Sequence, residues 1–308
     1  MKTYSSIYQL IGNTPLLELK NLKRSLNLKA NIFAKLEYFN PAGSIKDRVA
    51  LAMIEDAEKN GLLKKGGTVI EPTSGNTGIG ICSVCSAKGY KAIIVMPNSM
   101  SVERIKLMRA YGAEVVLTDG SLGMKGATQK AEELKNTIPN SIIAGQFTNK
   151  VNPLAHYNTT AKEIYNDLDG KVDILVSAVG TGGTITGVGK YLKEKSNAVK
   201  IVAVEPENSP LLSKGISAPH KIQGVGANFV PEILDLSVID EIVCVSEQNA
   251  FSSAQMLGQT EGFLAGISSG ASLYAGITLA QNQENAGKNI VVILPDGADR
   301  YLSTELFD

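Results

Sequence analysis

The segment Asn40-Pro41-Ala42-Gly43-Ser44-Ile45-Lys46-Asp47-Arg48 sets one lysine behind a proline and a glycine and ahead of a helical pattern. Ser44 and Asp47 match the Ser-x-x-Asp spacing of a helix start, while Val49, Ala50, Met53, Ile54 and Ala57 recur on one helix face. Asn60-Gly61 supplies the stop. Lys46 then falls in the first turn, where the partial positive charge of the helix end disfavours an ammonium and eases the side chain toward a neutral amine. Asp47 works against that shift. A neutral amine so placed can condense with a carbonyl; taken alone, the segment also reads as an ordinary solvated lysine.

Three polar glycine turns offer partners for such chemistry. Gly180-Thr181-Gly182-Gly183-Thr184 follows a β-branched run and opens a helix, so backbone N–H groups and the helix dipole converge where a phosphate fits. Position 185 lacks the third glycine of a dinucleotide fingerprint and no Gly-Lys-Ser/Thr marks a P-loop, although Glu205 at the end of the next strand keeps a dinucleotide reading open. Thr73-Ser74-Gly75-Asn76-Thr77-Gly78 repeats the design with hydroxyls and an amide, which suits a carboxylate. In Gly266-Ile267-Ser268-Ser269-Gly270, a serine hydroxyl can face a ring nitrogen without protonating it, or can cap a helix beginning near Ala271. Each turn singly is also explained by capping or close strand-to-helix packing. Lysine amine, phosphate cradle and carboxylate loop together describe a pyridoxal phosphate site for an amino acid.

These turns need a parallel α/β frame, and the pattern supplies one from about residue 68 onward. Strands are expected at 68–70, 92–96, 113–118 and 141–144, with helices between them: one to Lys88-Gly89, one carrying Val102, Ile105 and Met108, and one over 126–135. A second set follows: strands at 172–179, 201–204, 241–245 and 290–294, and helices at 184–195, 248–259 and after Gly270. A helix near 159–167 lies in the connection. The expected fold class is α/β, with two doubly wound open twisted sheets. The expected domains are a smaller mobile one over 36–150, and a larger one formed by 1–35 and 151–308, with the cofactor in the cleft between them.

Composition narrows the function classes. The 308 residues include 30 basic and 30 acidic side chains, net charge +0, and no basic run, which argues against nucleic acid or acidic lipid as partner. No stretch approaches the ~18 apolar residues of a membrane span and the N-terminus has no leader pattern, so a cytoplasmic protein is expected. Three cysteines and two histidines make neither a disulfide framework nor a four-ligand metal site, and no metal is expected. Cys82 and Cys85 read as core residues on one helix face and Cys244 as a buried strand residue. His156 and His220, without a nucleophile nearby, read as structural.

The chain closely resembles the O-acetylserine sulfhydrylases, or cysteine synthases, among the fold type II pyridoxal phosphate enzymes. The likeness runs over nearly its whole length: Ile11-Gly12-Asn13-Thr14-Pro15-Leu16, the Lys46 segment, the turns above, Gly145-Gln146-Phe147, His220-Lys221-Ile222-Gln223-Gly224-Val225-Gly226 and Asp299-Arg300-Tyr301-Leu302-Ser303-Thr304. The resemblance implies that Lys46 carries pyridoxal 5'-phosphate and removes the substrate α-proton. Asn76 then meets the ring oxygen, Ser268 the ring nitrogen, and Gly180, Thr181, Gly182, Gly183 and Thr184 the phosphate. Thr73, Ser74, Gly75, Asn76, Thr77, Gln146 and Gly224 are implied on the substrate side. The implied reaction is ping-pong replacement of the acetoxy group of O-acetyl-L-serine by sulfide, and residues 222–231 look like those of the A-type enzymes. A homodimer is implied, as is a complex with serine acetyltransferase through that protein's C-terminal tail. Ala161-Lys162 and Lys150 depart from the Gly-Pro and proline common in relatives, and no regulatory domain is expected beyond Leu302-Ser303-Thr304. The alternative is a cystathionine β-synthase using homocysteine; a serine or threonine dehydratase, a dinucleotide oxidoreductase and a purely binding role are the remaining readings.

Overall fold

A computed structural model describes residues 3–100 and 102–307. The strands are β1 (Leu16–Glu18), β2 (Asn31–Leu36), β3 (Thr68–Pro72), β4 (Lys91–Pro97), β5 (Glu114–Thr118), β6 (Ser141–Ile143), β7 (Ile174–Ala178), β8 (Lys200–Pro206), β9 (Glu241–Val245) and β10 (Asn289–Leu294). The helices are α1 (Lys20–Ser25), α2 (Lys46–Lys59), α3 (Asn76–Lys88), α4 (Val102–Ala110), α5 (Gly123–Thr137), α6 (Val151–Asn158), α7 (Thr160–Asp167), α8 (Gly183–Lys195), α9 (Leu211–Lys214), α10 (Glu247–Glu261) and α11 (Ile267–Gln281). They form two compact units: Met1–Ile11 with Asn40–Asn152, and Gly12–Phe39 with Pro153–Asp308. Residues 3–11 were expected with the larger domain but cluster with the smaller, whereas 36–39, expected with the smaller, cluster with the larger. In the smaller unit, Ile7–Leu10 forms a 3-10 turn against α3 and the Lys88 ammonium lies 5.0 Å from the Tyr8 ring centroid.

The smaller unit is a four-stranded parallel sheet in the order β5-β4-β3-β6. Strand alternation sends Val69, Ile94 and Met96 to a face covered by Val49, Met53 and Ile54 of α2 and Ile79, Ile81, Cys82 and Cys85 of α3. Ile70, Ile93 and Val95 face the other way, onto Ala127 and Ala131 of α5. Helices on both faces make the sheet doubly wound, and the direction in which successive strands are added reverses between β3 and β6.

The larger unit carries a six-stranded sheet, β1-β2-β10-β7-β8-β9, in which β1 and β2 are antiparallel and the other pairs parallel. Ile174, Val176, Val202, Val204, Ile290 and Val292 pack under α10 and α11. Gly189 of α8 sits over Ile201, on the opposite face. The reversal of strand order here falls between β10 and β7. The sequence pattern missed β1, α1 and β2. Buried Lys35 in β2 breaks the apolar run, its charge met by Glu163 at 2.9 Å and by the Thr14 carbonyl at 2.6 Å. Cys244, expected to be buried, is half-buried, because β9 is an edge strand. Among the described residues no helix is long and apolar enough to cross a membrane.

Candidate active site

Ligand-binding turns in doubly wound sheets gather at the carboxyl ends of strands beside the reversal point, and both units follow this rule. In the smaller unit, residues 73–77 leave β3 and residues 144–149 leave β6, the two strands flanking the reversal. Thr77, in the first turn of α3, donates its hydroxyl to Gln146 Oε1 at 2.5 Å, and Gly75 N–H donates to Thr73 Oγ1 at 3.2 Å. Arg104 Nη1 donates to the Ser74 carbonyl at 3.2 Å. Thr73, Thr77 and Gln146 are buried, whereas Ser74, Gly75 and Asn76 are half-buried. The structure therefore brings together the six residues at 73–77 and 146 named from the sequence.

Lys46 is the first residue of α2 and half-buried. Its start differs from the expected capping box. Ser44 Oγ accepts from the Lys46 N–H at 3.2 Å, and the buried Asp47 turns back to accept from the Ala42 N–H at 2.6 Å. Helix α3 lies directly on this turn: a Cβ added at Gly80 would stand 3.1 Å from the Lys46 carbonyl oxygen. The absence of a side chain at Gly80 thus sets how closely the Lys46 and Asn76 helices approach.

In the larger unit, the turn after β7 opens α8 with Gly182 at φ +82°, a left-handed conformation that a side chain resists. A Cβ on Gly180 would meet the Gly224 carbonyl oxygen at 2.4 Å, and Gly226 N–H donates to the Val179 carbonyl at 3.0 Å. Gly224, named on the substrate side from the sequence, thereby lies against the first glycine of the cradle. The hydroxyls of Thr181 and Thr184 and the helix-start N–H groups are donors, with Gly183 N–H reaching Thr181 Oγ1 at 3.4 Å, and residues 179–187 include no acidic side chain. A phosphate fits this donor set. Ser268 is buried in the first turn of α11, which begins at Ile267, four residues before the expected start near Ala271. Gly266 is the cap because a Cβ there would strike Asp296 Oδ1 at 2.1 Å. Helix α11 is tied to β7 by the Ala178 N–H, which donates to Ser272 Oγ at 3.1 Å.

Two residues were not assigned to the site from sequence. Glu71 in β3 accepts from the N–H groups of Gly145 at 2.7 Å and Gln146 at 3.3 Å. Burial pushes its carboxyl up to about 7, against the lowering by those hydrogen bonds. His156, read as structural, contacts Thr160 Oγ1 at 3.0 Å through Nδ1 and Thr184 Oγ1 at 3.3 Å through Nε2. A charged residue inside the strand run Thr68-Val69-Ile70-Glu71-Pro72 was the available signal for Glu71. For His156 only the i, i+4 spacing to Thr160 was visible. Glu205 is 3% exposed and accepts from Leu212 N–H at 2.7 Å and from Ser213 N–H at 3.1 Å. Its carboxylate is spent capping α9, which removes the ribose acceptor that a dinucleotide reading requires. Burial pushes the Cys82 thiol up to about 12 and raises Cys85 as well, so neither is a nucleophile at neutral pH. Among the described residues no His, Cys, Asp and Glu cluster has metal-holding geometry.

The sequence profile of the family described as pyridoxal-phosphate dependent enzyme matches residues 7–296, and the chain belongs to that family. A curated cysteine synthase of Staphylococcus aureus strain Mu50 is 49% identical over 307 residues, covering 99% of this chain and 98% of that one. The crystal structure of a cysteine synthase from Entamoeba histolytica superposes with a TM-score of 0.96 at 45% identity, covering 99% of this chain and 91% of that one. A hydrogen sulfide-producing enzyme from Fusobacterium nucleatum gives a TM-score of 0.92 at 49% identity, covering 97% of this chain and 100% of that one. The α/β class with two sheets and the pyridoxal phosphate cofactor are as the sequence led us to expect.

Proposed function

We propose that the chain is a cysteine synthase that replaces the acetoxy group of O-acetyl-L-serine by sulfide, giving L-cysteine and acetate. The observation that carries this reading is the 49% identity to a curated cysteine synthase across 99% of the chain. Pyridoxal phosphate, when bound, supplies an electron sink for the carbanion formed at the substrate α-carbon. Lys46 would hold the cofactor through Nζ, and once displaced by the substrate amine the freed Lys46 amine would take the α-proton. Gly180, Thr181, Gly182, Gly183 and Thr184 bind the phosphate through N–H and hydroxyl donors, and Asn76 bonds the ring oxygen. Ser268 would offer the ring nitrogen a neutral hydroxyl rather than a carboxylate, a partner that would not protonate it and would suit elimination better than transamination.

Thr73, Ser74, Gly75, Asn76, Thr77 and Gln146 orient the amino acid by its carboxylate, through the helix-start N–H groups of α3 and the Gln146 amide, which the Thr77 hydroxyl holds in place. Gly224, exposed and with φ +88°, contributes backbone on the substrate side. The 36–150 domain is the mobile one in this reading. The enzyme works as a cytoplasmic homodimer and receives the C-terminal tail of a serine acetyltransferase, whose carboxylate suits the 73–77 loop. A second reading, release of sulfide from cysteine, is favoured by the equal 49% identity to the sulfide-producing relative.

The deciding assay incubates the purified holoenzyme with O-acetylserine and sulfide, with O-acetylserine and homocysteine, or with cysteine alone. Fastest turnover in the first arm is expected. Fastest turnover with homocysteine moves the assignment to cystathionine synthesis, and fastest sulfide release from cysteine to the second reading. Borohydride treatment followed by peptide mass analysis should place the reduced cofactor on Lys46. Lys46→Ala should remove that adduct and lower kcat by about 10³-fold, the scale of losing a positioned base.

A further inference from the structure

Glu71 is 1% exposed, is not part of the proposed chemistry, and occupies a strand position where an apolar residue would ordinarily sit. Its surroundings explain its presence. Strand β6 ends at Ile143, and the ladder makes one further bond, from Ala144 N–H to the Ile70 carbonyl at 3.1 Å. The next two amides, Gly145 and Gln146, turn away, Gly145 at φ +73°, and find the Glu71 carboxylate at 2.7 and 3.3 Å instead of a backbone acceptor. The Gln146 side chain also lies near enough to Glu71 to favour its charged form. A carboxylate only accepts, so the Gln146 amide NH₂ must point at Glu71. Gln146 Oε1 is then left to accept the Thr77 hydroxyl, the arrangement observed at 2.5 Å. On the far side, Asn152 Nδ2 donates to the Gln146 carbonyl at 2.8 Å and Asn149 Nδ2 to the Ala144 carbonyl at 3.0 Å.

We infer that Glu71 is a positioning residue for the substrate-carboxylate loop: its carboxylate holds the 145 and 146 amides and sets the orientation of the Gln146 amide, and through it the Thr77 hydroxyl. This rests on the reading that Thr77 and Gln146 orient the substrate carboxylate. The groups facing Glu71 are the Gly145 N–H, the Gln146 N–H, the Gln146 side chain and apolar strand neighbours such as Ile94, its partner in β4. No charged side chain contributes to its titration. Replacing the carboxylate by an amide of the same shape keeps one acceptor oxygen but aims an NH₂ at a backbone N–H, so one of the two amides loses its partner.

The test is a double-mutant cycle on the holoenzyme with Glu71→Gln and Gln146→Ala, read by the change in cofactor absorbance on adding O-acetylserine and by the KM for each substrate. Glu71→Gln should keep full cofactor content and the KM for sulfide, while weakening O-acetylserine binding about 10-fold. The double variant should bind no worse than Gln146→Ala alone, because Glu71 acts through Gln146. Unchanged O-acetylserine affinity in Glu71→Gln, or additive losses in the double variant, overturns the inference while leaving the loop's role intact. Unchanged affinity in Gln146→Ala removes the underlying reading and the inference together. If Glu71→Gln does not fold, Glu71→Asp, which keeps the charge but draws it back, should show the same selective loss; normal O-acetylserine affinity in Glu71→Asp overturns the inference.

Discussion

A buried acid shows how one side chain links the fold to its chemistry. Free in an unfolded chain, the Glu71 carboxyl ionises near 4.5; folded, burial moves it to about 7. Between those values the folded chain holds a proton that the unfolded chain has released. Stability from this group is therefore fully present below about pH 4.5 and is lost as pH rises through about 7, a swing of about 3 kcal/mol. Chemical denaturation of wild type and Glu71→Gln between pH 4.5 and 8 should show this slope in the first and its removal in the second. Substrate binding runs the opposite way, since the orienting form is the carboxylate. The affinity for O-acetylserine should rise as pH climbs through about 7, and Glu71→Gln should flatten that rise. Lys46 shows a different division between sequence and structure: its place in the first helical turn was legible, whereas the local bonds of Ser44 and Asp47 were not. Those bonds replace the expected Ser44–Asp47 helix start: the buried Asp47 accepts from the Ala42 N–H, and Ser44 Oγ from the Lys46 N–H.

At the scale of elements, the strand-to-helix turns were readable because glycine and hydroxyl residues are required wherever backbone comes close to a ligand or to another turn. Gly180 is the sharpest case. With 2.4 Å between a Cβ at that position and the Gly224 carbonyl oxygen, Gly180→Ala must push the two turns apart, at a cost of about 1–3 kcal/mol. It should lower the melting temperature and weaken pyridoxal phosphate binding at least about 10-fold in an absorbance titration; wild-type values for both would remove Gly180 from the cradle. The turns were legible, yet the side chains that brace them were not. Glu71 and His156 reach their partners 74 and 28 residues away, at distances no local pattern carries. The antiparallel start of the larger sheet was missed for a related reason. Lys35 looks like a solvent-facing residue until Glu163, brought from 128 positions further along, neutralises it. The early start of α11 likewise depends on Asp296, which fills the space that a side chain at 266 would need.

For the whole molecule, alternation of strand and helix gave the α/β class and the parallel sheets, because buried parallel strands read as continuous β-branched runs. It could not assign the N-terminal residues to a unit, since their partners, such as Lys88 under Tyr8, depend on tertiary contact. The two units also differ in how much of the chain each sheet requires, and this has a consequence for synthesis. The smaller sheet is complete once Ser141–Ile143 has emerged, whereas β2 of the larger sheet waits for β10, with Asn31 bonded to Asn289 across 258 residues. Loop closure on that scale is slow, and domains form in the order their segments leave the ribosome. Stalled nascent chains carrying about 200 residues should therefore hold a protease-resistant core spanning 40–152, while residues 12–39 remain cleavable until β10 is exposed. Equal sensitivity of both segments at that length would refute the order. The early strands of the larger sheet thus spend nearly the entire period of translation as an unpaired edge, which makes them the segment most in need of a chaperone.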